Sequence, residues 1–321
     1  MKNPQVSIII PSYNAEKYIE RCLDSIERQT YRFFNVIVID DCSNDGTYEK
    51  ICNLRNKYNY NIQIRRNEKN FGPAISRNKG IMDANGEYIA FCDSDDWYEP
   101  NFLELMINNL IEREADVSLC GYNVVSEKGA VEKRPLEYSC QPKTIQEALV
   151  NNCDSLCMMV VRAEIVKTTL LPNIRNGEDM AVIPLIIQKS KKVILEKECL
   201  YNYFRRSDSA SQMPQINAVY SLVRSYDYLY SNSDKMFAKE LEFIGIRNLL
   251  YSAEITLFSI SYEKALANKI LVEFEKKYPK WKTNKYMKTL PTYKKIFLKF
   301  IGLKWFCFAW IIATIRKKKV K

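Results

Sequence analysis

The sequence predicts an α/β fold with a mostly parallel sheet, helices on both faces of that sheet, and a helical C-terminal region. Over the first 120 residues, short apolar runs alternate with helical patterns at the spacing of βαβ units. The runs are rich in β-branched residues, which is typical of strands buried on both faces. A chain of 321 residues, 47% of them hydrophobic and 27% charged, is large enough for one α/β domain and a smaller appendage.

Periodicity predicts the individual elements in chain order. Strands are expected at residues 6–10, 36–39, 62–66, 88–92 and 117–120, and helices at 16–28, 47–58, 74–84 and 101–114. Pro11 is expected to end the first strand, and Gly86 follows the end of the third helix as a stop signal. After about residue 121 the pattern weakens. There the sequence indicates a strand at 158–161, a short helix or apolar run at 183–188, and mainly helices at 216–290.

Composition excludes several classes of mechanism. The chain has no histidine, so a histidine base and a Ser-His-Asp triad are both impossible. Acid–base chemistry must therefore use a carboxylate, Lys, Tyr or Cys. The ten cysteines show no regular ligand spacing, and many lie in apolar runs, which indicates free thiols in a reducing compartment.

The positive charge is concentrated at the C-terminal end. Residues 276–321 contain 15 Lys and Arg and no acid, and because the whole chain carries +10, residues 1–275 sum to −5. A general nucleic-acid-binding surface is therefore not expected on the catalytic part of the chain. The stretch at 305–315 is uninterrupted apolar sequence followed by four basic residues. It is too short to span a bilayer, and an interfacial helix on a membrane is favoured over a buried helix.

Polar groups follow three of the predicted strands. Ligands bind at the carboxyl ends of parallel strands, where this chain has Pro11–Asn14, Asp40-Asp41 and Asp93–Asp96. Asp93 and Asp95 are two residues apart, so both carboxylates can face one Mg²⁺ or Mn²⁺ ion together with substrate phosphates. A solvated acidic turn is the alternative for this cluster. Asp41 can accept a hydrogen bond from a base ring, or it can cap the turn that follows it.

Four ordered motifs resemble glycosyltransferase family 2, the inverting enzymes of GT-A fold, of the kind that make bacterial surface polysaccharides. They are VSIIIPSYNAEKYIERCLDSIERQTY, VIVIDDCSNDGT, NFGPAISRNKG and GEYIAFCDSDDWYEP, all within residues 6–100. The resemblance covers roughly the first 120 residues and extends more loosely to Gly177-Glu178-Asp179. Cys42 departs from the pattern, since the family usually has Gly there, and the difference concerns the local turn geometry.

The resemblance implies roles for individual residues. Pro11 and Tyr13 would line the nucleotide pocket, with Tyr13 stacked on the base, and Asp41 would hydrogen-bond a uracil. Arg77 and Asn78 would lie near the donor diphosphate or sugar. Asp93 and Asp95 form the DxD motif, with Asp95 the more direct ligand of Mn²⁺ or Mg²⁺. Asp179 resembles the catalytic base, whereas the sequence alone also fits an acidic residue at a helix N-terminus.

These observations together predict a metal-dependent, inverting glycosyltransferase that transfers a sugar from a nucleotide donor, expected to be UDP-linked, to a hydroxyl of a glycan or lipid-linked glycan. We expect a nucleotide-sugar-binding half (1–120), an acceptor-binding and catalytic half (121–215), a helical region (216–295) and a membrane-associating tail (296–321). The expected location is cytoplasmic, on the inner face of the plasma membrane. The alternatives are a nucleotidyltransferase or sugar-nucleotide hydrolase, and a non-catalytic nucleotide-sugar-binding scaffold of the same fold.

Overall fold

The structure, a computed structural model, describes residues 3–136, 140–151, 155–175, 177–206 and 215–320. The chain divides into two compact units, which we describe separately. The α/β unit comprises residues 1–173 and 182–208, and the helical unit comprises residues 174–181 and 209–321.

The α/β unit is built on one mixed sheet. Its described strands are β1 (Val6–Ser12), β2 (Phe34–Asp40), β3 (Ile62–Arg66), β4 (Tyr88–Phe91), β5 (Trp97–Tyr98), β6 (Val117–Ser126), β7 (Val131–Arg134), β8 (Met159–Arg162) and β9 (Val193–Arg205). The strand order is β3-β2-β1-β4-β8-β6-β9-β5, with β7 added at β6. Strands β1 to β4 are mutually parallel, β6 and β9 are parallel, and β8 runs antiparallel between β4 and β6. The predicted α/β, mostly parallel fold is confirmed.

Helices cover this sheet. They are α1 (Ile19–Glu27), α2 (Thr47–Leu54), α3 (Pro73–Asp83), α4 (Phe102–Glu112), α5 (Ile145–Val150), α6 (Ala163–Lys167) and α7 (Glu178–Lys189), of which α7 begins within the helical unit. All seven residues of β1 and of β2 are buried, as the unbroken apolar runs predict. A Cβ on Gly80 would lie 2.4 Å from Ile9 Cγ2, so only glycine allows α3 to approach β1 this closely.

Two elements extend beyond their predicted ends. Strand β1 does not end at Pro11, because Pro11 pairs with Ile39 and Ser12 with Asp40 in the register with β2. A proline is tolerated here because it lies at the end of the strand. Strand β6 runs on through Ser126 because β7 and β9 continue to pair with it. The register between β6 and β9 shifts around Gly121. This irregularity interrupts the sequence pattern, so the full length of β6 was not predicted.

The helical unit confirms the helical prediction for the C-terminal region. Its helices are α8 (Ile216–Asn232), α9 (Ala238–Gly245), α10 (Glu254–Ile260), α11 (Lys264–Lys277), α12 (Thr292–Gly302) and α13 (Phe306–Val320). A π-helical segment, Ile246–Ala253, joins α9 to α10. The core includes the fully buried side chains of Tyr226, Phe243, Phe274, Trp281 and Phe297. Within the described residues, no helix combines the length and apolar character needed to cross a membrane.

Candidate active site

The loops after β1 and β2 meet at one edge of the sheet. The parallel register places Ser12 beside Asp40, at the carboxyl ends of these two strands. The backbone N–H of Asn14 donates to Ser43 Oγ at 3.1 Å, and the backbone N–H of Asn44 donates to Asn14 Oδ1 at 2.9 Å. These bonds join the two loops at the edge of the sheet where ligands bind in parallel sheets.

Tyr13 and Pro11 take different positions at this edge. The side chain of Tyr13 is 43% exposed, so its ring is available to a ligand. Pro11 lies within β1 and is buried. The predicted contacts of both residues with a nucleotide stay predictions.

Asp41 anchors the N-terminus of α3. Its carboxylate is 3% exposed and accepts hydrogen bonds from Asn67 Nδ2 (2.7 Å), the Phe71 amide (3.0 Å) and the Gly72 amide (2.7 Å). A carboxylate offers about four acceptor positions, so one remains for a ligand. Asp41 therefore fixes the start of the helix that carries Arg77, and its bond to a base stays a prediction.

The turn after Asp41 explains the departure at residue 42. Cys42 has a φ of 61°, in the left-handed region that favours glycine. The next residue, Ser43, donates its backbone amide to Asp40 Oδ2 at 3.2 Å, so Asp40 stabilises the turn, as its sequence context indicates. The substitution of Gly by Cys keeps the turn at the cost of local strain.

Asp93 is paired with a buried arginine. Arg77, on α3, is 4% exposed, and its Nη2 donates to Asp93 Oδ1 at 2.7 Å. The Asp93 side chain is 36% exposed, so part of the carboxylate faces solvent. The structure thus brings together two of the residues that the sequence places near the donor diphosphate.

Asp95 is more enclosed and also faces an arginine. Its Oδ2 lies 3.3 Å from Arg206 Nε, and its backbone carbonyl accepts a 2.7 Å hydrogen bond from Arg21 Nη2. Burial raises the pKa of Asp95 from its ordinary value, and the nearby Asp93 charge adds to this, while Arg206 and Arg21 oppose it. A bound cation would favour the charged form of this carboxylate.

The next residue, Asp96, has a structural role that the sequence did not indicate. It is 1% exposed, accepts a short hydrogen bond from the Tyr201 hydroxyl, and accepts a 2.7 Å bond from the Phe204 amide. Burial and the neighbouring charges of Asp95 and Asp93 raise the pKa of Asp96 well above its usual range. These contacts fix the end of β9 beside the acidic motif, and no local sequence signal reveals a partner more than 100 residues away.

Arg21 has a second structural role that the sequence did not indicate. The Arg21 guanidinium lies 4.0 Å from the Trp97 ring centroid and 4.2 Å from that of Phe204. This arrangement holds Arg21 in place to donate to the Asp95 carbonyl. Trp97 is half-buried, with its ring against Arg21 beside the acidic motif.

Asn78 is engaged with the backbone of another segment. Its Nδ2 donates to the Leu171 carbonyl at 2.8 Å, and its Oδ1 accepts from the Leu171 amide at 2.9 Å. The side chain therefore joins α3 to the segment after α6. Its predicted place near the donor stays a prediction.

The carboxylates of Asp93 and Asp95 are suitable ligands for a hard divalent cation. Carboxylate oxygens suit Mg²⁺ and Mn²⁺, which take remaining ligands from phosphate and water and so need only one or two carboxylates. Asp93 and Asp95 are close enough for the charge of one to raise the pKa of the other. Among the residues that the structure describes, no cluster of three or more acids and cysteines could enclose a metal by itself. The donor set fits a metal shared with a diphosphate.

Asp179 lies in the helical unit, in the first turn of α7. It follows Gly177, whose φ of 139° produces the turn into the helix, and Glu178, which is 7% exposed. The Glu178 side chain accepts from the Gly177 amide at 3.0 Å. An acidic residue at this point is favoured by the helix dipole, and its role as the base stays a prediction.

Comparison with known proteins identifies the family. The sequence pattern of glycosyl transferase family 2 matches residues 7–170. The Bacillus subtilis protein TuaG, named as a glycosyltransferase of teichuronic acid biosynthesis, is 33% identical over 65% of this chain and 82% of its own length. The chain therefore belongs to glycosyl transferase family 2 and is a glycosyltransferase.

Solved structures share the fold. Residues 1–349 of Staphylococcus aureus TarS superpose with a TM-score of 0.72, at 20% identity over 98% of this chain and 92% of that one. The mannosyltransferase PcManGT of Pyrobaculum calidifontis, solved with GDP-Man and Mn²⁺, gives a TM-score of 0.61 at 14% identity over 99% of this chain and 88% of its own. The expected GT-A fold is thus confirmed.

Proposed function

We propose that this glycosyltransferase is metal-dependent and inverting, and that it moves a sugar from a UDP donor to a hydroxyl of a glycan or lipid-linked glycan. The observation that carries the proposal is the pair Asp93 and Asp95 directly after β4, each facing an arginine. TarS has been solved with UDP-GlcNAc, and PcManGT with Mn²⁺, which supports a nucleotide-sugar and a metal for this chain. The name of TuaG supports surface-polysaccharide biosynthesis.

The α/β unit would bind the donor. Tyr13 has the exposed ring needed to stack on a base, and Asp41 has one acceptor position left for a base N–H. Arg77 and Arg206, which face the two carboxylates, carry planar guanidinium groups of the kind that suit phosphate oxygens. A Mg²⁺ or Mn²⁺ ion held by Asp93 and Asp95 would neutralise charge on the departing nucleoside diphosphate.

Asp179 would be the base. A chain without histidine must use another group to accept the proton of the acceptor hydroxyl, and Asp179 supplies a carboxylate in the first turn of α7. With one base and in-line attack on the anomeric carbon, the anomeric configuration is inverted.

The proposal also covers the acceptor substrate and the location of the enzyme in the cell. In the C-terminal segment, which is rich in lysine, four large apolar side chains are between 40% and 53% exposed: Trp305, Phe308, Trp310 and Ile315. Tryptophan and basic residues favour a membrane surface over a nucleic acid. We therefore propose that residues 296–321 bind the cytoplasmic face of a membrane, where a lipid-linked glycan would be the acceptor.

The experiment is a donor screen with the purified protein, a lipid-linked acceptor pool and Mn²⁺. We expect release of UDP from at least one UDP-sugar, and a loss of turnover of about 100-fold or more in Asp179→Asn. The matched control is Asp227→Asn, which removes an exposed carboxylate paired with Lys277 in the same unit. Unchanged turnover in Asp179→Asn would exclude it as the base. Nucleotide binding without consumption of any nucleotide sugar would favour the non-catalytic alternative.

A further inference from the structure

A small apolar cavity lies on the helical unit, beside the end of α12. It has a volume of about 270 Å³, and its apolar walls are Trp281, Met287, Leu298 and Leu303. Trp281 is 1% exposed and Leu298 is 1% exposed, so the floor is part of the packed core. Gly302 completes the wall, because a Cβ there would lie 3.1 Å from Trp281 Cζ2.

Three lysines surround this cavity, and we call the whole the lysine-rimmed pocket. Lys282 Nζ donates to the Gly302 carbonyl at 2.8 Å, and Lys295 Nζ donates to the Lys288 carbonyl at 2.7 Å. These bonds hold both ammonium groups at the rim, and Lys299 is the third lysine of the lining. The acid facing them is Glu275, 3.7 Å from Lys282, so the rim keeps a net positive charge.

The pocket continues into an exposed apolar tip between α12 and α13. Lys304 has a φ of 59°, a left-handed conformation that ends α12 and reverses the chain. Leu303 and Trp305, on either side of it, are 46% and 52% exposed. Phe308 is 48% exposed, with its ring centroid 5.9 Å from that of Trp305. Leu303 belongs to both the pocket and the tip, so the two form one surface.

The chemistry of this surface suits one class of ligand. Contiguous exposed apolar side chains mark interaction sites, and Trp with flanking lysines is typical of a membrane interface. A pocket of about 270 Å³ is smaller than those that enclose drug-sized ligands, so it suits part of one acyl chain. Ammonium groups at the mouth of an apolar slot are placed to bind a phosphate attached to that chain.

We propose that the lysine-rimmed pocket binds one anionic phospholipid of a bilayer, with an acyl chain against Trp281 and Leu298 and the phosphate at Lys282, Lys295 and Lys299. The tip at Leu303 and Trp305 enters the interfacial layer beside it. This inference rests on the membrane partner in the proposed function and extends it from a tail to a defined site. Its test requires neither donor nor acceptor, so its outcome is independent of the transferase reaction.

The first test is sedimentation with vesicles of the full chain and a triple variant, Lys282→Gln, Lys295→Gln and Lys299→Gln. Vesicles of phosphatidylcholine with about 30% phosphatidylglycerol are compared with phosphatidylcholine alone. We expect binding to the anionic vesicles only, reduced at least about tenfold in the variant, since each lysine near an anionic surface contributes to binding. The matched control replaces Lys235, Lys264 and Lys269, three exposed lysines elsewhere on this unit, by Gln. An equal loss of vesicle binding in both triple variants would show that binding depends on net charge alone, and it would overturn the proposed lipid site.

The second test addresses the pocket itself. Dihexanoyl phosphatidylglycerol, below its micellar concentration, is titrated into the protein by calorimetry, with dihexanoyl phosphatidylcholine and inorganic phosphate as comparisons. Saturable binding of the first lipid alone is expected, and Met287→Trp should abolish it by filling the cavity. Binding of inorganic phosphate with equal affinity, or an unchanged titration in a folded Met287→Trp, would overturn the proposal. UDP binding by Met287→Trp is measured separately and shows whether the donor site is intact in this variant.

Discussion

Arg77 Nη2 lies 2.7 Å from Asp93 Oδ1, so the third helix of the α/β unit is joined directly to the acidic motif after β4. Asp41 fixes the start of the same helix through the Phe71 and Gly72 amides. Asp95 faces a second arginine, Arg206, at the end of β9. Each carboxylate of the motif therefore has a cation from a different element, which offsets the repulsion between the two acids.

The Arg77–Asp93 pair should stabilise the fold. Replacing Arg77, which is 4% exposed, by Met keeps much of its volume and removes the charge. We expect the free energy of unfolding to fall by about 1.5–3 kcal/mol, the range for a hydrogen bond to a charged group. Chemical denaturation measures it. Arg32→Met is the control, because Arg32 is 54% exposed and its pair with Glu27 should contribute less than about 1 kcal/mol. Equal losses in the two variants would show that the buried pair has no special role.

Asn78 should be a structural residue. Asn78→Ala leaves the amide and carbonyl of Leu171 without their side-chain partner, so we expect a loss of about 1–3 kcal/mol in the free energy of unfolding. Affinity for the nucleotide should change little in the folded variant, as calorimetry with UDP can show. A variant with full stability and weakened UDP binding would instead support the donor contact that the family resemblance implies.

Glu254 should make stability depend on pH. It is fully buried, and neither carboxylate oxygen has a hydrogen-bond partner among the residues that the structure describes. Burial raises the pKa of Glu254 from 4.5 to about 8. Between these values the unfolded chain releases a proton that the folded chain keeps, so the free energy of unfolding falls as pH rises.

The variant Glu254→Gln tests this dependence, because a glutamine cannot ionise. Its stability should match that of the wild type near pH 4.5 and exceed it by about 2–4 kcal/mol near pH 8. Denaturation at a series of pH values measures the difference. The control is Glu263→Gln, which changes a glutamate near the start of α11, where its carboxylate accepts from Ser261 Oγ. Parallel pH curves for Glu254→Gln and the wild type would contradict a raised pKa.

The first half of the fold was predictable because its elements are local and regular. Strand β3 begins and ends at the predicted residues, and β2 and β4 differ by one or two residues at their ends. Their apolar runs are unbroken, and a run buried on both faces needs no distant partner to be recognised. The grouping of Asp40, Asp93 and the β1 loop at one edge follows from the parallel order of these strands.

Between residues 121 and 215 the fold depends on pairing between distant segments, and β7 and β9 were not predicted from the sequence. Strand β9 has 13 residues, VILEKECLYNYFR, and pairs with β6 and β5. Because its middle is charged, its sequence lacks the apolar pattern that would predict a strand. For the same reason Tyr201 and Arg206 could not be placed beside Asp96 and Asp95 from sequence. Contacts between residues more than 100 positions apart in the chain produce no local sequence pattern that would predict them.

The most direct measurement is thermal stabilisation of the purified protein by UDP, GDP, CDP and dTDP, each with and without Mn²⁺. We predict that UDP with Mn²⁺ raises the melting temperature most, by roughly 5–10 °C at about 100 times the dissociation constant. Asp95→Asn should lose the Mn²⁺-dependent part, whereas Glu68→Gln, an exposed carboxylate of the same unit, should keep it. Stabilisation by UDP that is indifferent to Mn²⁺ and to Asp95→Asn would contradict a metal-dependent donor site.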